Sequence, residues 1–320
     1  MKEKAIQQLT SATDLDSLYP VLDDRRMTPG WHKKRPSLWK SPRTDFKPFH
    51  WSYQVSRLAL DQAGRWMDTE MAERRNLLLY NAVGDNDYDS LRTLVVAYQM
   101  LKPGEHARAH WHTPAAMRYI IDADDGCYSV VDGVQVPMRP GDVLLTPAFA
   151  MHSHFNEGSG NAYWIDILDV PVVHRLEPMF WGEHPDKYQP TTSKPEEHPF
   201  YLPPDKTLRL LADQQPVDGV RRVKFDTAEH IRTFDISFVE IAAGQSTPQS
   251  QNTTSRVIVA QSGRGVAHIG DQRFEFERGD VMVAPLWNTV RFDATENCLL
   301  MEVTDFPVMN ALGFFREAGA

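Results

Sequence analysis

The sequence predicts an all-β protein: two copies of one small β-barrel behind an N-terminal helical and irregular cover. Short β-rich runs with turn residues between them fall in two separate blocks, as expected of small barrels or sandwiches. Gly104, Gly141 and Pro147 of the first block recur as Gly244, Gly279 and Pro285 of the second, at offsets of 140, 138 and 138 residues. The phrases RPGDVLLTP and ERGDVMVAP make the repeat visible, and such a repeat implies a duplicated fold. With 320 residues the chain has room for two domains, since one takes roughly 100 to 200 residues.

The cover is assigned to residues 1–90. It opens with a short helical piece near Leu15 and Leu18, and Pro36, Pro42 and Pro48 then exclude continuous helix. From Val55 to Arg74 apolar residues recur at helical steps (Val55, Leu58, Ala59, Ala63, Trp66, Met67, Met71), which predicts an amphipathic helix running into a strand from Asn76 to Tyr80. The first barrel is assigned to residues 91–172, where LVVAYQM, AMRYIID, CYSVVDG, VQVPM, DVLLTP and AYWIDIL read as strands. A Pro-rich charged connection follows, with a helix in DKTLRLLADQ, and residues 173–230 are taken as a linker. The second barrel takes residues 231–320.

A hydrophobic content of 42% is enough to fill real cores, and a net charge of −9 argues against nucleic acid or an anionic membrane as partner. Cys127 and Cys298 form no Cys-x-x-Cys pairing, so no disulfide framework or zinc knuckle is expected and each reads as a buried thiol. The opening stretch has no apolar h-region and no apolar run of about 18 residues occurs, so the expectation is a cytoplasmic protein whose partner is a small molecule.

The strongest chemical signal is PGEHARAHWHTPAAMRYIIDADDG followed by RPGDVLLTPAFAMHSHFN. His110 and His112 stand two apart on an expected strand, so their imidazoles share one face. His152 closes a second strand after a Gly-Asp turn. A lone histidine is usually a hydrogen-bonded core or surface residue, but three convergent imidazoles suit a divalent transition metal.

These motifs resemble the cupin superfamily, in which Gly, five residues and His-x-His open the first motif and Gly, five residues, Pro, four residues, His, three residues and Asn make the second. Gly104 to His110, then Gly141, Pro147, His152 and Asn156, fit that spacing. Many cupins add a glutamate four to six residues after the second histidine. None stands between Thr113 and Arg118, which leaves three histidines as the ligand set. A three-histidine first barrel with AERRNLLLYNA upstream resembles the gentisate 1,2-dioxygenase group, which includes salicylate and 1-hydroxy-2-naphthoate dioxygenases. The likeness runs from about Trp51 to Phe315. It implies a bicupin of two jelly-roll barrels, one Fe(II) per chain, and an aromatic 2-hydroxy acid split by O2 between its carboxyl- and hydroxyl-bearing carbons. A homotetramer or another homo-oligomer is implied as well.

Three facial ligands leave about three positions on a six-coordinate iron, enough for a chelating carboxylate and phenolate plus dioxygen. Arg118 lies six residues beyond His112, so on an uninterrupted strand it shares the ligand face and meets a substrate carboxylate. The resemblance adds Arg74 and Gln99 as pocket residues, and His154 with Asp166 as an acid/base pair in which Asp166 orients the imidazole. Gln99 has the parity of Leu101 rather than of the histidines. His106 falls outside the motif and reads as a loop residue. Two departures bear on the substrate: Trp111 stands between the ligands where the group usually has a basic residue, and Val95 stands where some salicylate-cleaving relatives have tryptophan. In the second barrel the ligand positions fall on Ser250, Asn252 and Val290, which cannot hold iron. Rival readings are a metal-dependent cupin isomerase, which needs a pocket rich in hydroxyl partners, and a non-catalytic cupin that binds an aromatic acid without consuming O2.

Overall fold

The computed structural model describes residues 2–72 and 74–319 and divides into two units, residues 1–43 and 44–320. The first unit holds helices Lys2–Thr10 and Leu15–Asp23. Asp14 caps the second through a reciprocal pair, its Oδ1 accepting from Ser17 N at 2.8 Å while Asp14 N donates to Ser17 Oγ at 3.2 Å. None of the described side chains of residues 2–43 is buried, so this segment has no core of its own.

The second unit carries the duplication. In the first barrel a six-stranded sheet runs in the order Tyr201–Leu202, Val143–Thr146, Ala116–Asp122, Ala162–Leu168, Val95–Leu101 and Arg75–Leu78. A five-stranded sheet closes the barrel: Trp181–Glu183, His106–His112, His152–Asn156, Cys127–Val131 and Val134–Pro137. The second barrel repeats the six-stranded sheet one for one: Phe49–Trp51, Val281–Ala284, Arg256–Ser262, Cys298–Thr304, Asp235–Ile241 and Val220–Phe225. Its facing sheet has four strands, Ser250–Gln251, Thr289–Ala294, Gly265–Ile269 and Gln272–Phe276.

Alternation along each strand sets where its side chains go. On Val95–Leu101 the side chains of Val96, Tyr98 and Met100 join Phe234, Ile236 and Phe238 in one large apolar cluster, which lies between the two six-stranded sheets. Leu101, Ile120, Leu144 and Trp164 fill the first barrel, and Val239, Ile258, Met282 and Leu300 the second. Central strands are thus buried on both faces, which is why they read as continuous apolar runs. The Gly-Asp turns repeat too: Gly141 and Gly279 have φ of +91° and +88°, a region only glycine enters freely. Cys127 and Cys298 are free and buried.

Several short strands come from segments whose sequence gave no strand signal. Phe49–Trp51, from the cover, pairs with Val281–Ala284 of the second barrel, and Tyr201–Leu202, from the linker, with Val143–Thr146 of the first. The expected helix from Val55 to Arg74 is shorter, Tyr53–Ala63, and ends at Gly64, where a Cβ would meet Met100 Cε at 2.9 Å. Its buried residues are Tyr53, Ser56 and Leu60, whereas Val55, Leu58, Trp66 and Met71 are exposed. The strand expected from Asn76 to Tyr80 is Arg75–Leu78, and the helix expected in the linker is Pro204–Ala212.

Candidate metal centre

His110 and His112 lie at the end of the strand His106–His112, and His110 stands opposite His152 on the neighbouring strand. A register shift between Ala107 and His110 bends the ligand strand just before the site, as bulges commonly do beside functional residues. One nitrogen from each of the three rings lies within 4.8 Å of the other two. The rings converge with centroids 4.4 Å (His110–His152), 4.9 Å (His112–His152) and 5.5 Å (His110–His112) apart.

The backbone orients all three rings. Nδ1 of His110 lies 3.1 Å from the Arg108 carbonyl, Nδ1 of His112 lies 2.7 Å from that of Pro114, and Nδ1 of His152 lies 3.0 Å from that of Ala150. A carbonyl only accepts, so each Nδ1 carries a hydrogen and Nε2 is the nitrogen left on each ring to ligate a metal. His152 Nε2 is fully buried and has no hydrogen-bond partner. Burial is the main cause that pushes His112 down to about 4, and it holds His152 well below the ordinary imidazole range. Convergent imidazoles oriented by outer hydrogen bonds are what a divalent metal requires.

Arg118 is not on the ligand strand. It sits on Ala116–Asp122, in the facing sheet, opposite Asp166. Both side chains are about 1% exposed. Arg118 Nε lies 3.0 Å from Asp166 Oδ1, and Nη1 donates to Thr146 Oγ1 at 2.8 Å, so the guanidinium is held from two sides. Burial pushes the guanidinium down and the carboxyl up, and each partner opposes the shift on the other. Gln99 Nε2 donates to Asp166 Oδ2 at 2.5 Å, which leaves Gln99 Oε1 buried without a partner. Gln99 therefore faces the barrel interior. Arg74 precedes the strand Arg75–Leu78, and its charge is felt at His112, His154, Arg118 and Asp166.

Asp166 does not orient His154. The partner of His154 is Ser129, which lies directly across from it in the adjacent strand, with Oγ 2.7 Å from Nδ1. Ser129 Oγ also donates to Met138 Sδ at 3.1 Å. Nδ1 of His154 is thus engaged by Ser129, and Nε2 is the ring nitrogen left to face the cavity. Nε2 has no partner, and burial, then the charge of Arg118, keeps the ring well below the ordinary imidazole range. Trp164, opposite Gln99, also ends in a buried Nε1 without a partner, 5.8 Å from His154 ring to ring. Sequence reasoning missed Ser129, Thr146 and Trp164; the only trace of them is strand parity inside CYSVV, DVLLT and AYWIDIL.

Trp111 turns outward between the ligands. It faces Gly182, where a Cβ would lie 2.7 Å from the indole Nε1, so the glycine makes room for the ring. Val95 is buried and paired with Leu168. His106 is on the ligand strand, not in a loop, and meets Glu157 at 2.6 Å, away from the ligand set.

A duplicated jelly-roll with three convergent imidazoles in one copy defines a bicupin with, among the described residues, one cluster able to hold a metal. Residues 97–168 match the cupin domain family. Over nearly its whole length the chain is similar to 5-aminosalicylate 1,2-dioxygenase of a Comamonas species, 29% identical with 95% of this chain and 90% of that protein covered. It is equally similar to a Streptomyces gentisate 1,2-dioxygenase, 29% identical with 95% of each covered. Among solved structures, salicylate 1,2-dioxygenase from Pseudaminobacter salicylatoxidans superposes with a TM-score of 0.87 at 25% identity, covering 95% of this chain and 97% of that one. The chain is thus similar over nearly its whole length to several gentisate and aminosalicylate 1,2-dioxygenases. No described helix is long and apolar enough to cross a membrane.

Proposed function

We propose that the protein is an Fe(II)-dependent dioxygenase that opens the ring of an aromatic 2-hydroxy acid, of the gentisate or salicylate type, between its carboxyl- and hydroxyl-bearing carbons. The observation that carries this reading is a convergent three-imidazole set beside a fully buried cation, Arg118, within one barrel. Ferrous iron at His110, His112 and His152 would supply dioxygen chemistry and a chelating site for two substrate oxygens.

The rest is the work of the chain's own residues. Arg118 and, from the barrel edge, Arg74 neutralise the substrate carboxylate, which in a dry interior needs a cation beside it. Asp166 holds Arg118 and Gln99 in place, so the guanidinium fork does not have to be ordered on binding. The unpartnered Nε2 of His154 is placed to take a proton from a second ring hydroxyl, the step that favours a hydroquinone-type acid such as gentisate. Trp164 Nε1–H offers a donor to a distal ring substituent.

The test is anaerobic loading with Fe(II), then oxygen-electrode and absorbance assays with gentisate, salicylate, 5-aminosalicylate and 1-hydroxy-2-naphthoate. Stoichiometric oxygen uptake with loss of the aromatic spectrum is the expected result. Tight binding of these acids with no oxygen consumed would reject the enzyme reading in favour of a binding cupin.

A further inference from the structure

The second barrel has an open pocket of about 550 Å³ whose lining includes Ser250 and Asn252, two of the positions that match the first barrel's histidines. Ser250 stands opposite Val290 there as His110 stands opposite His152. The metal-ligating half of the site is gone, but a cluster of buried charged side chains remains. Glu302 occupies the place of Asp166 on the matching strand and is 2% exposed. Arg256 lies on the strand that matches that of Arg118, two residues from the position of Ile258, which faces Glu302. It is itself only 7% exposed.

The charges in this cavity are incompletely satisfied. Glu302 Oε2 accepts from Arg222 Nη1, and Lys224 is taken by Asp235 at 2.6 Å. Arg256 Nη1 donates to Ser250 Oγ at 2.9 Å, one bond for a group with five donors. Glu302 Oε1 is buried and accepts no hydrogen bond; Arg256 Nη1 is 3.9 Å from it, too far for one. A buried carboxylate oxygen with no donor is costly unless a bound group supplies one. An apolar wall adjoins this charged floor, formed by Phe306 and Phe315, edge to face at 4.9 Å.

We propose that this cavity is a second binding site, for a small hydroxylated aromatic carboxylic acid, with the carboxylate on Arg256, a hydroxyl donating to Glu302 Oε1 and the ring against Phe306 and Phe315. Nothing in it matches the imidazole set, so the acid is held and not turned over. The second barrel thereby holds the acid independently of the first, and this stands whether or not the first barrel cleaves it.

The probe is 5-bromosalicylate, whose bromine can be located by anomalous scattering in crystals and whose binding can be counted by equilibrium dialysis of the full chain. Two molecules per chain are expected, one in each barrel. Arg256→Met should weaken the second-barrel site by about tenfold or more while the first stays filled, and His152→Ala should leave the second-barrel site intact. In the wild-type chain 3-bromobenzoate, which lacks the hydroxyl, should bind the second barrel about fivefold more weakly; this comparison decides the matter if Arg256→Met does not fold. One molecule per chain, confined to the first barrel, would overturn the proposal. So would a second-barrel site indifferent to Arg256 or to the hydroxyl, or bromine seen only in crystals with no counterpart in dialysis, which is binding at crystal concentration only.

Discussion

Asp169 and Asp305 clasp the two barrels with the same pair of hydrogen bonds, each reaching into the opposite barrel. Asp169 Oδ1 accepts from Ala115 N at 2.8 Å within its own barrel and Oδ2 from Thr233 Oγ1 at 2.5 Å beside the other. Asp305 Oδ1 accepts from Ser255 N at 2.8 Å and Oδ2 from Thr93 Oγ1 at 2.6 Å. Both carboxyls are buried, and burial raises each to about 6.

Thr93→Val and Thr233→Val should therefore destabilise the protein by similar amounts, about 1.5–3 kcal/mol each, the usual worth of a hydrogen bond to a charged group. The sign of the pH dependence follows from the raised values. The folded state holds these two protons more tightly than the unfolded chain, so their contribution is complete below about 4 and is lost as pH rises through about 6. Urea melts from pH 4 to 8 should show this loss, and Asp169→Asn with Asp305→Asn should flatten it. Unequal costs of the two valine variants would show that the clasp is not symmetric.

Metal analysis gives the second prediction. Anaerobically prepared protein should carry one iron per chain, and alanine at His110, His112 or His152 should remove it, since each supplies one of three convergent ring nitrogens. Two tightly held irons per chain would mean that Ser250, Asn252 and Val290 do not mark a vacant centre.

Arg118 is the third. Arg118→Ala should weaken binding of 2-hydroxy acids by about 2–5 kcal/mol and cost about 3–5 kcal/mol of stability, because Asp166 is left buried beside no cation. Iron content should not change. Calorimetry that finds acid binding intact would move the carboxylate to Arg74.

His154 and Ser129 separate substrates. With gentisate, His154→Ala should lower kcat by about 10² to 10⁴, the range for a general base, while salicylate, which has no second hydroxyl to deprotonate, should lose much less. Ser129→Ala frees Nδ1 to change tautomer and should cost a smaller factor, worth about 1 kcal/mol, again mainly on gentisate. Equal losses on both acids would leave His154 as a positioning residue.

The metal ligands and the duplication were legible because they are local. His110 and His112 are two apart on one strand, the Gly-Asp turn places His152, and the same glycines and prolines recur in the second half. Periodicity was least informative where both faces of a segment, or neither, are buried. The helix Tyr53–Ala63 buries Tyr53, Ser56 and Leu60 rather than the expected stripe. The edge strands Phe49–Trp51 and Tyr201–Leu202, only 3 and 2 residues long, carry no alternation and exist because a neighbouring sheet has an open edge.

Which polar groups meet was decided by closure of the barrel. Sequence alone determined that His154, Asp166, Arg118 and Gln99 stand at strand positions within or near the motif. It offered Asp166 to His154 as an orienting partner, both being pocket residues that the family resemblance implies. Pairing of Cys127–Val131 with His152–Asn156 instead sets Ser129 across from His154, and pairing of Ala162–Leu168 with Ala116–Asp122 sets Asp166 across from Arg118 in the other sheet. Spacing along a chain fixes the face of a strand, but partners across a sheet depend on register, and register is set by the packing of the whole barrel.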